Sequence, residues 1–133
     1  TRESAMSEAT PADLPAMVDL LASLRLVGSF LALGADSVPG LNVQFSVENG
    51  AVGFDWVLLA PLNIEERNRA ESFAAERGQA LIEHTMNGVN YLRTTKGDLA
   101  ELCHGILHDL YGIGAGERLW VAMGDVDWPP RAE

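Results

Sequence analysis

Residues 41–59, LNVQFSVENGAVGFDWVLL, constrain the fold more than any other stretch of the chain. Asn49-Gly50 supplies the two consecutive positive-φ positions that a two-residue type I′ turn needs. With that turn, Val47 faces Val52, Phe45 faces Phe54, Val43 faces Trp56 and Leu41 faces Leu58. All four pairs are apolar and lie on one face of a hairpin. Asn42, Gln44, Ser46, Glu48 and Asp55 fall on the other. Turn chemistry and period-2 patterning therefore give one register, with one face marked for a core.

Around this hairpin the remaining segments read mainly as helices. Thr10-Pro11-Ala12-Asp13 has the residues of a helix start: a capping hydroxyl, proline at the first position and an acid near the positive end of the dipole. Leu14, Met17, Val18, Leu21, Leu24, Gly28 and Leu31 then follow helical spacing, which predicts one helix running to about Gly34. After Pro61, the segment Asn63-Ile64-Glu65-Glu66 reads as a capping box, opening a helix that ends at Gly78. Its expected inner face is Ile64, Ala70, Phe73 and Ala74. Thr95 reads as the cap of a third helix, with Asp98 in its first turn and the stripe Leu99, Leu102, Cys103, Ile106, Leu107 and Leu110.

A second Asn-Gly, Asn87-Gly88, predicts another hairpin turn. Its register would pair Met86 with Val89, His84 with Tyr91, Glu83 with Leu92 and Ile82 with Arg93, mixing polarity on both faces. Residues 89–94 read as a strand, whereas 79–86 reads as either strand or helix. A last strand over 119–123 alternates Leu119, Val121 and Met123 against Trp120 and Ala122. The expected fold is α+β: a single domain with a mainly antiparallel sheet and helices on one face. Its order is helix, two strands, helix, one or two strands, helix, strand. Residues 1–9 are expected as a disordered segment or remnant, 10–124 as the domain and 125–133 as an acidic, aromatic tail.

Charge narrows the partners. Nine basic against 19 acidic residues leave a formal charge of −10. That balance opposes nucleic-acid binding, which needs clustered Lys and Arg, and disfavours anionic membrane surfaces. It favours encounter with another protein, in particular a basic one. Cys103 has no second cysteine to pair with, which points to a reducing, cytoplasmic setting. The apolar region 14–33 is interrupted by Asp19, Ser23, Arg25 and Ser29, so it does not make a membrane span of ~20 residues.

Few residues offer chemistry. Glu101, His104 and His108 share one helix face at a spacing that could hold a metal, as a small enzyme or metal-dependent sensor would. That face lies opposite the apolar stripe, where no second layer would orient the imidazoles, so a solvated surface accounts for it better. Gly112, Gly114 and Gly116 leave a helix and enter a strand, the reverse of a phosphate loop. Cys103 sits within the apolar stripe, where packing explains it better than nucleophilic chemistry. No cofactor motif is present. Trp120, Asp125, Asp127 and Trp128 form a candidate docking edge for a basic partner, in which Trp128 could equally fold back over the sheet.

The small size, the acidity and the helix–hairpin–helix–hairpin–helix order over residues 14–111 resemble class I type III secretion chaperones and the related YbjN-like proteins. The chain departs from them in showing two strands rather than three before the middle helix, and in ending on a strand. The resemblance implies a homodimer that binds an extended segment of a client protein, and it carries no functional residue across. The expectation is thus a non-enzymatic protein-binding module, either a chaperone or adaptor, or an acidic inhibitor of a basic protein in the manner of an immunity protein.

Overall fold

In the computed structural model, which describes residues 6–130, seven strands form one antiparallel sheet with helices on one face. In chain order these are β1 (Met6–Ala9), α1 (Leu14–Leu24, entered through a 3₁₀ turn Pro11–Asp13), β2 (Phe30–Ala35), β3 (Val38–Glu48) and β4 (Ala51–Val57). Then come α2 (Pro61–Glu65), α3 (Arg67–Glu76), β5 (Ile82–Met86), β6 (Val89–Thr94), α4 (Leu99–Gly105) and β7 (Leu119–Gly124). The strand order across the sheet is β1-β7-β2-β3-β4-β6-β5.

The central hairpin has the expected register: Val43 faces Trp56, Phe45 faces Phe54 and Val47 faces Val52. Asn49 and Gly50 both take positive φ, as a type I′ turn requires. The ladder ends at Val57, and the Leu58 amide donates instead to the Asn90 carbonyl. The second hairpin also keeps its expected register, with β5 as a strand from Ile82 to Met86. Its mixed polarity has a simple cause, since β5 is an edge strand exposed along its whole length.

The first helix is shorter than its periodicity predicts. It stops at Leu24, where Arg25 turns left-handed and its amide bonds to the Leu21 carbonyl. Gly28, at positive φ, then redirects the chain into β2. Leu31 and Leu33 of β2 point to the core while Ala32 and Gly34 face the other way. Every β2 residue is small or apolar, so the strand period is hidden inside a run that also fits a helix. Met6 to Ala9, expected outside the domain, pair with β7 instead. The expectations for residues 1–5 and 131–133 fall outside the described residues.

The middle helix is two pieces and begins at Pro61, with Ala60 as its cap. Asn63 does not cap it. Its buried side chain accepts from the Asn42 amide at 3.3 Å and donates to the Asn42 carbonyl at 2.6 Å, tying α2 to β3. Ile64 is consequently exposed, while Ala70, Phe73 and Ala74 pack inward. α4 is capped by Asp98 rather than Thr95, and continues as a π turn over Ile106–Leu110.

The core lies between the sheet and the helices. Leu14, Met17 and Leu21 of α1, with Leu102, Cys103 and Ile106 of the last helix, meet Leu31, Val43, Phe45, Phe54, Trp56 and Leu92 of the sheet. Trp56 donates its indole N–H to the Asn63 carbonyl at 2.8 Å, so the polar end of this buried ring is satisfied. No helix among the described residues is long and apolar enough to cross a membrane.

Candidate binding face

The second face of the sheet carries no helix, and its residues follow from the strand registers. Partners in adjacent strands point to the same side, so Ala32, Gln44, Asp55, Arg93 and Ile82 form one row. Phe30, Ser46 and Gly53 form the next, with Gly124 beside Phe30. Gly34 and Trp120 form a third, with Glu8 at the sheet edge.

Across β3, β4 and β6 this face is a polar network. Asp55 is fully buried and Arg93 is 5% exposed. Arg93 donates through Nη1 to Asp55 Oδ1 at 2.8 Å and to Ser46 Oγ at 2.7 Å. Its Nη2 donates to the Ser46 and Ala51 carbonyls, each at 3.2 Å. The other Asp55 oxygen accepts from Ser46 Oγ at 2.5 Å and from Gln44 Nε2 at 2.9 Å. Glu48 stands 3.6 Å from Arg93 Nε and accepts from the Tyr91 hydroxyl at 2.8 Å. Burial, reinforced by the Glu48 carboxylate, pushes the Tyr91 phenol up to about 12. Two carboxylates against one guanidinium leave the cluster formally negative.

Over β7 and β2 the same face is apolar and smooth. The Trp120 indole covers Gly34, and Phe30 covers Gly124, in each case so closely that no β-carbon would fit beneath the ring. Ala32 and Ala122 fill the row between them. Where the two halves meet, a pocket of about 460 Å³ opens, walled by Val27, Phe30 and Met86 and floored by Gln44, Ser46 and Glu48. The face can therefore offer an apolar contact and a carboxylate within one cavity, which suits a ligand group that is both apolar and cationic.

The four residues expected at the docking edge do not share a surface. Trp120 lies on this uncovered face. Trp128 is 8% exposed and packs into the core on the helix side, its amide against the Met123 sulfur at 3.2 Å. Asp125 is exposed at positive φ, and Asp127 is half-buried.

Glu101, His104 and His108 all lie exposed along the last helix. The His104 and His108 ring centroids are 6.1 Å apart, and His108 Nδ1 sits 2.8 Å from an Asp109 oxygen. That contact holds the Asp109 carboxyl below its ordinary range. Among the described residues no three His, Cys, Asp or Glu side chains converge as metal ligands. Glu101 and His104 instead border a shallow cleft of about 350 Å³ with Pro11, Pro15 and Ala100. Cys103 is buried, and burial alone raises its thiol well above the usual range. The Gly112 turn ends the last helix, with the Ile113 amide bonded back to the Leu107 carbonyl.

Sequence reasoning placed Gln44, Ser46, Glu48 and Asp55 together on one hairpin face but missed Phe30, Tyr91 and Arg93 as their neighbours. A signal for Arg93 was present. The second hairpin's register sets this lone cation in the row of Ile82, at odds with an apolar edge.

No family model, curated protein or solved structure matches this chain. Its own geometry is what supports a functional reading.

Proposed function

We propose that this is a non-enzymatic protein-binding module whose uncovered sheet face holds a basic, partly apolar segment of a partner protein. One observation carries the reading: Phe30, at the end of the aromatic half of the face, and the Glu48 carboxylate, beside Gln44 and Ser46, line the same open pocket. An apolar contact flanked by a carboxylate complements a segment that mixes Lys or Arg with large apolar side chains. The −10 charge of the whole chain would speed encounter with such a partner.

Within this reading, a chaperone or adaptor holding an extended client draws support from the element order. β2, β3 and β4 precede the middle helices, so the run before them is three strands, as in the type III secretion chaperones that the layout resembles. An acidic inhibitor of a basic protein draws its support from net charge alone. A metal-dependent role for Glu101, His104 and His108 has less behind it, since the three stand exposed along a helix with no buried group to orient them.

The test is capture from the native lysate by tagged wild-type protein and by Phe30→Lys, at low and at high salt. The expected result is a stoichiometric protein partner held by the wild type and lost from the variant, with the circular dichroism of the two unchanged. Release as salt rises would mark an inhibitor steered by charge, and retention would mark a client bound by apolar contact. A partner held equally by Phe30→Lys would remove this face from the interface.

A further inference from the structure

The edge strand β5 is exposed along its whole length. Its residues Ile82, Glu83, His84, Thr85 and Met86 are all exposed, Ile82 at 57% and Met86 at 49%. Sheet edges are normally blunted by proline, lysine, a bulge or a covering loop. β5 has no proline, no lysine and no irregularity in its pairing with β6, and its one carboxylate, Glu83, is held by Arg67 of α3 at 2.7 Å.

The backbone groups that β5 leaves free follow from its turn. A two-residue type I′ turn makes Met86 and Val89 a hydrogen-bonded pair, and alternation then makes His84–Tyr91 and Ile82–Arg93 hydrogen-bonded pairs as well. The Asn90 carbonyl accepting from β4's side, through the Leu58 amide, fits the same alternation. The outward N–H and C=O groups therefore belong to Glu83 and Thr85.

We propose that two copies of this chain pair antiparallel along β5, about a two-fold axis at His84. In that register Glu83 exchanges both backbone hydrogen bonds with Thr85 of the second copy, and the symmetry repeats the pair. Ile82 meets Met86 of the second copy across the axis, covering the exposed apolar side chain of each. Charge selects this register over its neighbours. An axis at Glu83 would set two carboxylates opposite each other, and an axis at Thr85 would place Ile82 against the turn glycine, Gly88. The His84 axis alone among the three uses all five residues without opposing two like charges. Each sheet then continues into the other across the axis, an isologous contact that closes with two copies.

The geometry gives a register-specific test. A non-hydrogen-bonded antiparallel pair brings Cα atoms to about 4.5 Å, within disulfide range. His84→Cys should thus form an intermolecular disulfide under mild oxidation, read on a non-reducing gel. Thr85→Cys should not, because it lies one residue from the axis in each copy, so the two copies stand two residues out of register. Native Cys103 is buried and supplies an unreactive background. Sedimentation equilibrium of the wild type should show a monomer–dimer equilibrium. Thr85→Pro removes an outward amide that β6 does not use, so it should weaken that dimer at least roughly tenfold while the far-ultraviolet spectrum is kept. Should Thr85→Pro fail to fold, the cysteine pair alone decides. A wild type that stays monomeric to its solubility limit, as an edge reserved for a foreign strand would, overturns the proposal. So does cross-linking of Thr85→Cys as fast as His84→Cys.

Discussion

Arg93 lies directly over Gly53: a β-carbon added to Gly53 would stand 2.4 Å from the guanidinium carbon. Any side chain there would lift Arg93 off the sheet and away from Asp55, Ser46 and the Ala51 carbonyl, which it reaches only by lying flat. Gly34 beneath Trp120 and Gly124 beneath Phe30 repeat the arrangement. Glycine weakens a strand on its own account, and here a large neighbour restores the lost contact. These three pairs make the uncovered face low and continuous where it would otherwise be ridged.

Gly53→Ala should therefore destabilise the fold by about 1–3 kcal/mol, the usual range for overpacking. Asp55→Ala should cost about 3 kcal/mol, because it removes the 2.8 Å partner of the buried Arg93 guanidinium and leaves only the more distant Glu48. Urea unfolding of the two variants measures both. A Gly53→Ala protein as stable as wild type would mean that Arg93 can adopt another pose without loss.

Gly34→Ala tests the aromatic half of the face in the same way. Its methyl group would fall within 2.1 Å of the Trp120 indole, so the ring must move outward. Acrylamide should quench the tryptophan emission more strongly than in wild type, while the cost in stability stays within about 1–3 kcal/mol. Trp56 and Trp128 are buried in the core and should contribute little to the change. Unaltered quenching would show that Trp120 does not rest on Gly34 in solution.

The parts of this fold that could be read from sequence are those where two local signals agree. Asn49-Gly50 and the Val43, Phe45 and Val47 alternation point to one hairpin, and the structure has it. β2 shows why agreement matters. Leu31 and Leu33 alternate with Ala32 and Gly34, a contrast of size rather than polarity, so nothing local separates strand from helix. Asn63 was misread because its amide is spent on the Asn42 backbone of β3, a tertiary contact that outweighs its capping preference. The uncovered face was legible in halves. Its hairpin residues follow from one turn, but Phe30, Arg93 and Trp120 reach them only through strand neighbours distant in sequence.

Alkaline pH should destabilise the fold through two phenols, the buried Tyr91 and the half-buried Tyr111. Tyr91 is pushed up to about 12 by burial and by the Glu48 carboxylate, and Tyr111 reaches about 12 through burial and Glu66. An unfolded tyrosine ionises near 10. Between those values the unfolded chain binds fewer protons than the folded one, so stability is complete below about pH 10 and falls as pH rises toward 12. Tyr91→Phe removes one of the two groups, and its melting temperature should decline less steeply across that window than that of the wild type. Equal slopes would mean that Tyr91 ionises in the folded protein as it does in the unfolded chain.

The histidine face offers the clearest negative control for the proposed function. His104 and His108 project from the last helix into solvent, and the apolar stripe of that helix does not involve them. Substituting both with alanine should change stability by no more than about 0.5 kcal/mol, as is usual for exposed positions. One local effect is expected: the Asp109 carboxyl, held low chiefly by its hydrogen bond to His108, should titrate closer to an ordinary aspartate in a carbon-detected NMR titration. Partner capture should persist, because the bound segment would lie against Phe30, Glu48 and Trp120 on the other side of the sheet. A double variant that keeps its fold and loses its partner would move the functional surface to the last helix, and would restore Glu101, His104 and His108 as the residues to pursue.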